Sequence, residues 1–143
     1  MNENLNPNWI GNEEDEIYRE NILDHFKNPR NFGFLENSTI NHKELNPVCG
    51  DQIEMFLHIK DNKIENVKFN GGGCAISIAS ASMLTERIKG INLMDLKNIT
   101  KEEVLKMIGV PLGIVRGKCG LLSLKVLIKC IEEIEVKNEQ TNR

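Results

Sequence analysis

The fold is decided between Asp51 and Ser82, in the stretch DQIEMFLHIKDNKIENVKFNGGGCAISIASAS. Ile53, Met55, Leu57 and Ile59 alternate there with Gln52, Glu54, Phe56 and His58. A period of two predicts a strand with one buried face. Asp61 and Asn62 then supply a turn, and Val67 and Phe69 share one side of the run from Ile64 to Phe69. Together the two runs predict an antiparallel hairpin. Gly71, Gly72 and Gly73 interrupt the alternation, and Ile76 to Lys89 reads as a helix rich in Ala and Ser. Its Ile78, Ala79, Ala81, Met83 and Ile88 suit close packing on a sheet.

The flanking sequence extends this unit in both directions. A further strand is expected around Ser38 to Glu44. Earlier still, Tyr18, Ile22 and Phe26 recur at four-residue spacing, with Ile17 and Leu23 beside them. That pattern predicts an amphipathic helix over Asp15 to Lys27, which Pro29 helps to end before a loop marked by Asn28, Asn31 and Gly33. Downstream, Thr100 and Glu103 form a capping-box signature that opens a short helix to Ile108, closed by Gly109 and Pro111. A strongly apolar helix follows over Leu121 to Val136. Strands early and helices late predict an α+β domain, with a small antiparallel sheet of about three strands packed against several helices. Residues 1–14 are expected to be a flexible arm on which Trp9 and Ile10 are docking candidates, residues 15–137 one domain, and residues 138–143 a polar tail.

At 143 residues the chain is long enough to bury an ordinary core without cross-links. Lys and Arg number 18 against 21 Asp and Glu, a net charge of −3, so there is no global basic footprint for nucleic acid. The apolar runs fall well short of the roughly 20 residues a membrane span needs. Met1 to Glu16 is polar and acidic, without a basic-then-apolar signal pattern. The expected location is cytoplasmic, where thiols stay reduced.

That leaves four cysteines to explain: Cys49, Cys74, Cys119 and Cys130, with no Cys-x-x-Cys pair among them. Cys49 immediately precedes the first hairpin strand, Cys74 follows three glycines and precedes a helix, and Cys119 opens the last helix. Core cysteines more often sit in mid-element, whereas element ends leave sulfur accessible. A helix N-terminus also favours the thiolate. Residues two apart in an extended segment project to the same side, so Asp51 can share a site with Cys49. Asp51 has a second reading, as a turn residue satisfying backbone N–H groups after Gly50. Three thiolates and a carboxylate would select iron–sulfur clusters, zinc or copper over magnesium and calcium. Cys130 separates from the others: eleven residues beyond Cys119 on one helix, at a rise of about 1.5 Å per residue, it lies roughly 16 Å away and belongs to the core. His25, His42 and His58 lack the spacing of a paired metal site, and neither a P-loop nor a Gly-x-Ser-x-Gly nucleophile sequence occurs. Close backbone approach around a cysteine-bound centre accounts for the three glycines better than a phosphate cradle does.

Several motifs in order carry a resemblance: YRENILDHFKNPRNFG from Tyr18 to Gly33, NPVCGD from Asn46 to Asp51, GGGCAISIASAS from Gly71 to Ser82, and Lys118-Cys119 before an apolar helix. The chain resembles the iron–sulfur cluster scaffold family of IscU, SufU and the N-terminal domain of NifU over about Tyr18 to Ile131. The resemblance implies a SufE/NifU-like α+β fold in which Cys49, Asp51, Cys74 and Cys119 converge near one exposed end. It implies a scaffold, not an enzyme, that builds a [2Fe–2S] cluster from Fe(II) and persulfide sulfur and passes it to apo iron–sulfur proteins. A cysteine desulfurase would supply the sulfur, with Cys119 as acceptor, and a ferredoxin-type donor the electrons. Asp51 would keep the cluster labile, since a hard carboxylate is a poorer ligand than thiolate for a soft iron site. Tyr18 matches a tyrosine linked to homodimer formation during persulfide reduction; its other reading is a core aromatic of the first helix.

Two departures from the family pattern point to different branches and make the chain a hybrid of the two. Lys118 stands where IscU proteins usually carry His, which resembles SufU, and a lysine there can stabilise a thiolate or persulfide at Cys119. The 45-residue gap from Cys74 to Cys119 lacks the long SufU insertion and resembles IscU. Leu112 to Arg116 also lacks the proline pair of a chaperone-binding loop. The alternative function is therefore a SufU-like, Zn(II)-dependent sulfurtransferase, and a small structural zinc domain is a third reading. The same ligand set satisfies tetrahedral zinc.

Overall fold

The decisive stretch folds as its alternation predicts. In the computed structural model, which describes residues 13–141, β2 (Asp51–Lys60) and β3 (Lys63–Gly72) pair antiparallel. Asp61 and Asn62, both at positive φ, make the tight turn between them. Ile53, Met55 and Leu57 on one strand and Val67 and Phe69 on the other are all fully buried, and Met55 lies opposite Phe69. Phe56, on the opposite face, is buried as well, its ring 5.6 Å from that of Phe34. β1 (Ile40–Asn46) pairs with β2 so that Asn46 faces Asp51, completing a sheet of order β1-β2-β3.

Helices cover the buried face of this sheet. Before it comes α1 (Glu13–Lys27); after it come α2 (Ala75–Ile88), α3 (Leu93–Leu96), α4 (Lys101–Ile108) and α5 (Ile114–Thr141). The small residues of α2 act as expected: Ala79 and Ala81 are buried, and so are Ser77, Ser80 and Ser82. The serines are satisfied by neighbouring elements. Ser80 Oγ donates to the Gly120 carbonyl at 2.6 Å, while Ser82 Oγ accepts from the Arg30 N–H at 2.8 Å and lies 2.7 Å from His25 Nδ1. Thr100 caps α4, its hydroxyl accepting from the Glu103 N–H, and Gly109 closes that helix at φ 82°.

Several boundaries differ from expectation, β1 among them, which runs two residues later than Ser38 to Glu44. β3 runs on through Gly71 and Gly72, which pair with Ile53 and Gln52. The short α3, capped by the Asn92 side chain on the Asp95 N–H, spans too few residues to show a period. α5 starts at Ile114, not Leu121, because Gly117 and Gly120 are helical and not breakers. At Gly120 an added Cβ would stand 2.9 Å from Ile108 Cδ1, so that glycine is there for close helix packing. At the other end α5 continues to Thr141, over most of the expected tail, and α1 takes in Glu13 and Glu14 of the expected arm. The docking candidates Trp9 and Ile10 lie outside the described residues. Among the described residues no helix is long and apolar enough to cross a membrane.

Candidate metal centre

The site sits where three chain segments meet. Between β1 and β2 the Asn46 carbonyl accepts from the Gly50 N–H at 2.8 Å, and Asn46 Oδ1 accepts from the Val48 N–H at 3.3 Å. This turn presents Cys49 and delivers Asp51 as the first residue of β2. Cys74 is the N-cap residue of α2, and Cys119 occupies the second turn of α5.

Cys49, Asp51 and Cys119 place one ligand atom each within 4.8 Å of one another. The Cys119 thiol donates toward Cys49 Sγ at 3.0 Å. Cys74 joins them through Asp51: its backbone N–H donates to Asp51 Oδ1 at 2.9 Å and its thiol to Oδ2 at 3.7 Å. Asp51 thus caps α2 from a neighbouring strand, since the Cys74 side chain makes no capping bond. Gly73, at φ 138°, makes room for this: an added Cβ would stand 2.1 Å from Asp51 Oδ1. Both readings of Asp51, turn acceptor and ligand candidate, describe the same carboxylate.

Burial divides the set. Cys49 and Cys74 are partly exposed, whereas Asp51 is 1% and Cys119 0% exposed. The expectation of an accessible, dipole-activated Cys119 is therefore corrected. Sitting inside a helix packed on the sheet, its thiol has a pKa well above the ordinary range. Burial is the main cause, and hydrogen bonds to Cys49, Asp51 and Cys74 add to it. Burial works against ionising Asp51 too, but bonds from Ser77, the Cys74 N–H and the Cys119 and Cys74 thiols outweigh it and hold its pKa below normal. Cys130 is fully buried in the core, its thiol pushed up to about 12 by burial and by Glu133.

Lys118 is exposed and lines a groove of about 570 Å³ with Leu45, Pro47, Val48 and Leu121. Tyr18 is half-buried against the end of α4, so close that a Cβ on Gly109 would meet its Cδ1 at 2.1 Å. Sequence reasoning missed two residues of the site. Asn46 Nδ2 lies 3.8 Å from Cys119 Sγ, and Ser77 Oγ donates to Asp51 Oδ2 at 2.7 Å. Ser77 had a signal, since it follows Cys74 by three residues and so shares its side of α2.

Residues 17–141 match the family described as NifU-like N terminal domain. The chain belongs to this family. Among its relatives is iron-sulfur cluster assembly scaffold protein IscU 1 of Archaeoglobus fulgidus, 36% identical over 129 residues, 89% of this chain and 82% of the relative. Another is the zinc-dependent sulfurtransferase SufU of Bacillus subtilis, 38% identical over 122 residues, 81% of this chain and 82% of the relative. A crystal structure of a NifU-like protein, N-terminal part, from Brucella abortus superposes with a TM-score of 0.72 at 21% identity, covering 86% of this chain and 97% of that one, and shows the same fold. The resemblance carried by the motifs thus holds over nearly the whole described chain.

The donor set of this NifU-like domain fits a soft metal. Two sulfurs 3.0 Å apart cannot both ionise without a cation between or beside them. A metal held by Cys49, Asp51 and Cys119 would supply that charge and favour the thiolate forms.

Proposed function

We propose that the chain is a scaffold on which a [2Fe–2S] cluster is assembled from Fe(II) and desulfurase-derived sulfur, then passed to apo iron–sulfur proteins. The observation that carries this reading is the convergence of three thiols and one carboxylate with two of the cysteines partly exposed. A resident structural metal would be closed off, whereas a cargo must enter and leave. Cys49, Asp51, Cys74 and Cys119 are the proposed ligands. Cys119 is the proposed persulfide acceptor, and because its sulfur lies beneath Cys49, delivery requires the 46–51 turn to move aside. Lys118 is proposed to support the thiolate or persulfide, and Tyr18 to take part in a homodimer. Sulfane sulfur must gain two electrons to become sulfide, hence the proposed ferredoxin-type donor. Free thiols point to a reducing, cytoplasmic setting.

One observation favours the second reading, a zinc-dependent sulfurtransferase: Lys118 precedes Cys119, and a relative at 38% identity carries that name. The same four residues would hold Zn(II), which would supply the charge that keeps the thiols ionised. Anaerobic reconstitution with desulfurase, cysteine and Fe(II), followed by transfer to apo-ferredoxin, separates the two. The scaffold yields a visible-absorbing species that moves to the acceptor. The sulfurtransferase gives tight zinc and faster desulfurase turnover without a cluster.

A further inference from the structure

Ser77 is no ligand, yet its one hydroxyl touches three of the four candidate ligand residues. It donates to Asp51 Oδ2 at 2.7 Å, stands 3.2 Å from the Cys119 carbonyl, and lies 3.7 Å from Cys74 Sγ. A hydroxyl has a single proton, so these acceptors compete for it. The shortest contact, to a buried carboxylate, wins.

The two oxygens of Asp51 are not equivalent. Oδ1 is committed to the Cys74 N–H and pressed against Gly73. Oδ2 is the oxygen beside the Cys74 thiol and is therefore the one that can turn to a metal. Ser77 holds that oxygen. Both residues are about 1% exposed, so the bond between them is shielded from bulk water in the closed site.

We propose that Ser77 is a positioning residue that restrains Asp51: its hydroxyl occupies Oδ2 before loading and turns to the Cys119 carbonyl when the carboxylate engages a metal. The second acceptor keeps the serine proton satisfied throughout, so the carboxylate can be released and recaptured without leaving a buried donor unpaired. Ser77 thereby weakens one ligand of the four, by competition. The inference rests on the metal-site assignment made above and extends it to a residue outside the ligand set.

Zinc affinity by chelator competition tests it, on the wild type, Ser77→Ala, Asp51→Ala and the double variant. Removing the competitor is expected to tighten zinc about three- to tenfold in Ser77→Ala, the size of one buried hydrogen bond. In the Asp51→Ala background the same change is expected to do nothing, because Ser77 acts only through that carboxylate. A purely structural serine would not tighten binding. Weaker binding in Ser77→Ala, as when a hydrogen bond merely supports a ligand, overturns the inference; so does unchanged affinity, or an equal gain without Asp51. Should Asp51→Ala fail to fold, Asp51→Asn closes the cycle. Wild type that holds no zinc overturns the metal site itself, whereas firm zinc binding without the serine effect overturns only the role of Ser77. Failure of cluster assembly leaves the zinc cycle readable and counts against the scaffold alone.

Discussion

The two halves of the site are built differently. Cys49 and Cys74 sit on a turn and a helix cap, partly open to solvent, while Asp51 and Cys119 sit within regular elements and are sealed. The open pair is carried by local backbone geometry, namely the Asn46 turn and the left-handed Gly73. The sealed pair depends on α5 and α2 packing on the sheet. Under the proposed function the two halves meet their cargo differently: the partly exposed thiols can reach iron directly, whereas sulfur reaches Cys119 only once the turn above it opens.

The largest expected effect breaks the sealed half. Cys119→Ser should abolish cluster assembly in the reconstitution assay, whereas Cys130→Ala on the same helix should leave it intact. The latter should lower stability by about 1–2 kcal/mol, as loss of a small buried side chain does, measured by urea unfolding. Equal loss of assembly in both variants would erase the distinction between site and core cysteines. Next comes the hinge between the halves. Gly73→Ala forces a Cβ into Asp51 Oδ1 at a backbone angle that other residues avoid. We expect about 1–3 kcal/mol of destabilisation and zinc binding weakened by on the order of tenfold or more. Gly72→Ala, with nothing within 4 Å of its added Cβ, is the control and should fall within about 0.5 kcal/mol.

This division was only half legible in the sequence. The hairpin, α2 and α4 could be read because their signals are local: alternation in β2, a turn at Asp61 and Asn62, a cap at Thr100 and a closing Gly109. The open thiols shared that legibility, since each adjoins a glycine or proline signal. The burial of Cys119 was hidden because Gly117 and Gly120 look like breakers. Only the packing of Gly120 on Ile108 explains why the helix runs through them. Which face of a helix is covered depends on partners distant in sequence, and so does the catch between Ser77 and Asp51. Their spacing of 26 residues carries no periodic trace.

A smaller effect sharpens the comparison by reactivity. In the metal-free protein iodoacetamide should modify Cys49 and Cys74 first. Cys119 and Cys130 should react more slowly by on the order of tenfold or more, because both are buried and have raised pKa values. Mass-spectrometric mapping over time gives the order. Zinc should protect Cys49 and Cys74 and leave the slow rate of Cys130 unchanged. Labelling of Cys119 as fast as Cys49 would show that the turn opens freely and that the seal is not maintained in solution.

The smallest expected effect asks whether the site is insulated from the rest of α2. His25 joins α1 to that helix through Ser82, outside both halves of the site. Its pKa lies below the ordinary 6.5, chiefly because burial disfavours the charged ring, with Arg30 adding repulsion that Asp24 and Glu86 only partly offset. The unfolded chain therefore binds more protons than the folded one just below that value, so stability rises with pH there. The contribution is complete above about pH 6.5, falls as pH drops toward the folded pKa, and levels off beneath it. Unfolding midpoints between pH 7.5 and 5 should decline more steeply in wild type than in His25→Asn, by no more than a few degrees because the ring is partly solvated. The labelling rates of Cys49 and Cys74, taken relative to a free cysteine peptide at each pH, should not follow that decline. If they do, α1 communicates with the α2 cap, and the open half of the site is not governed by its local turn alone.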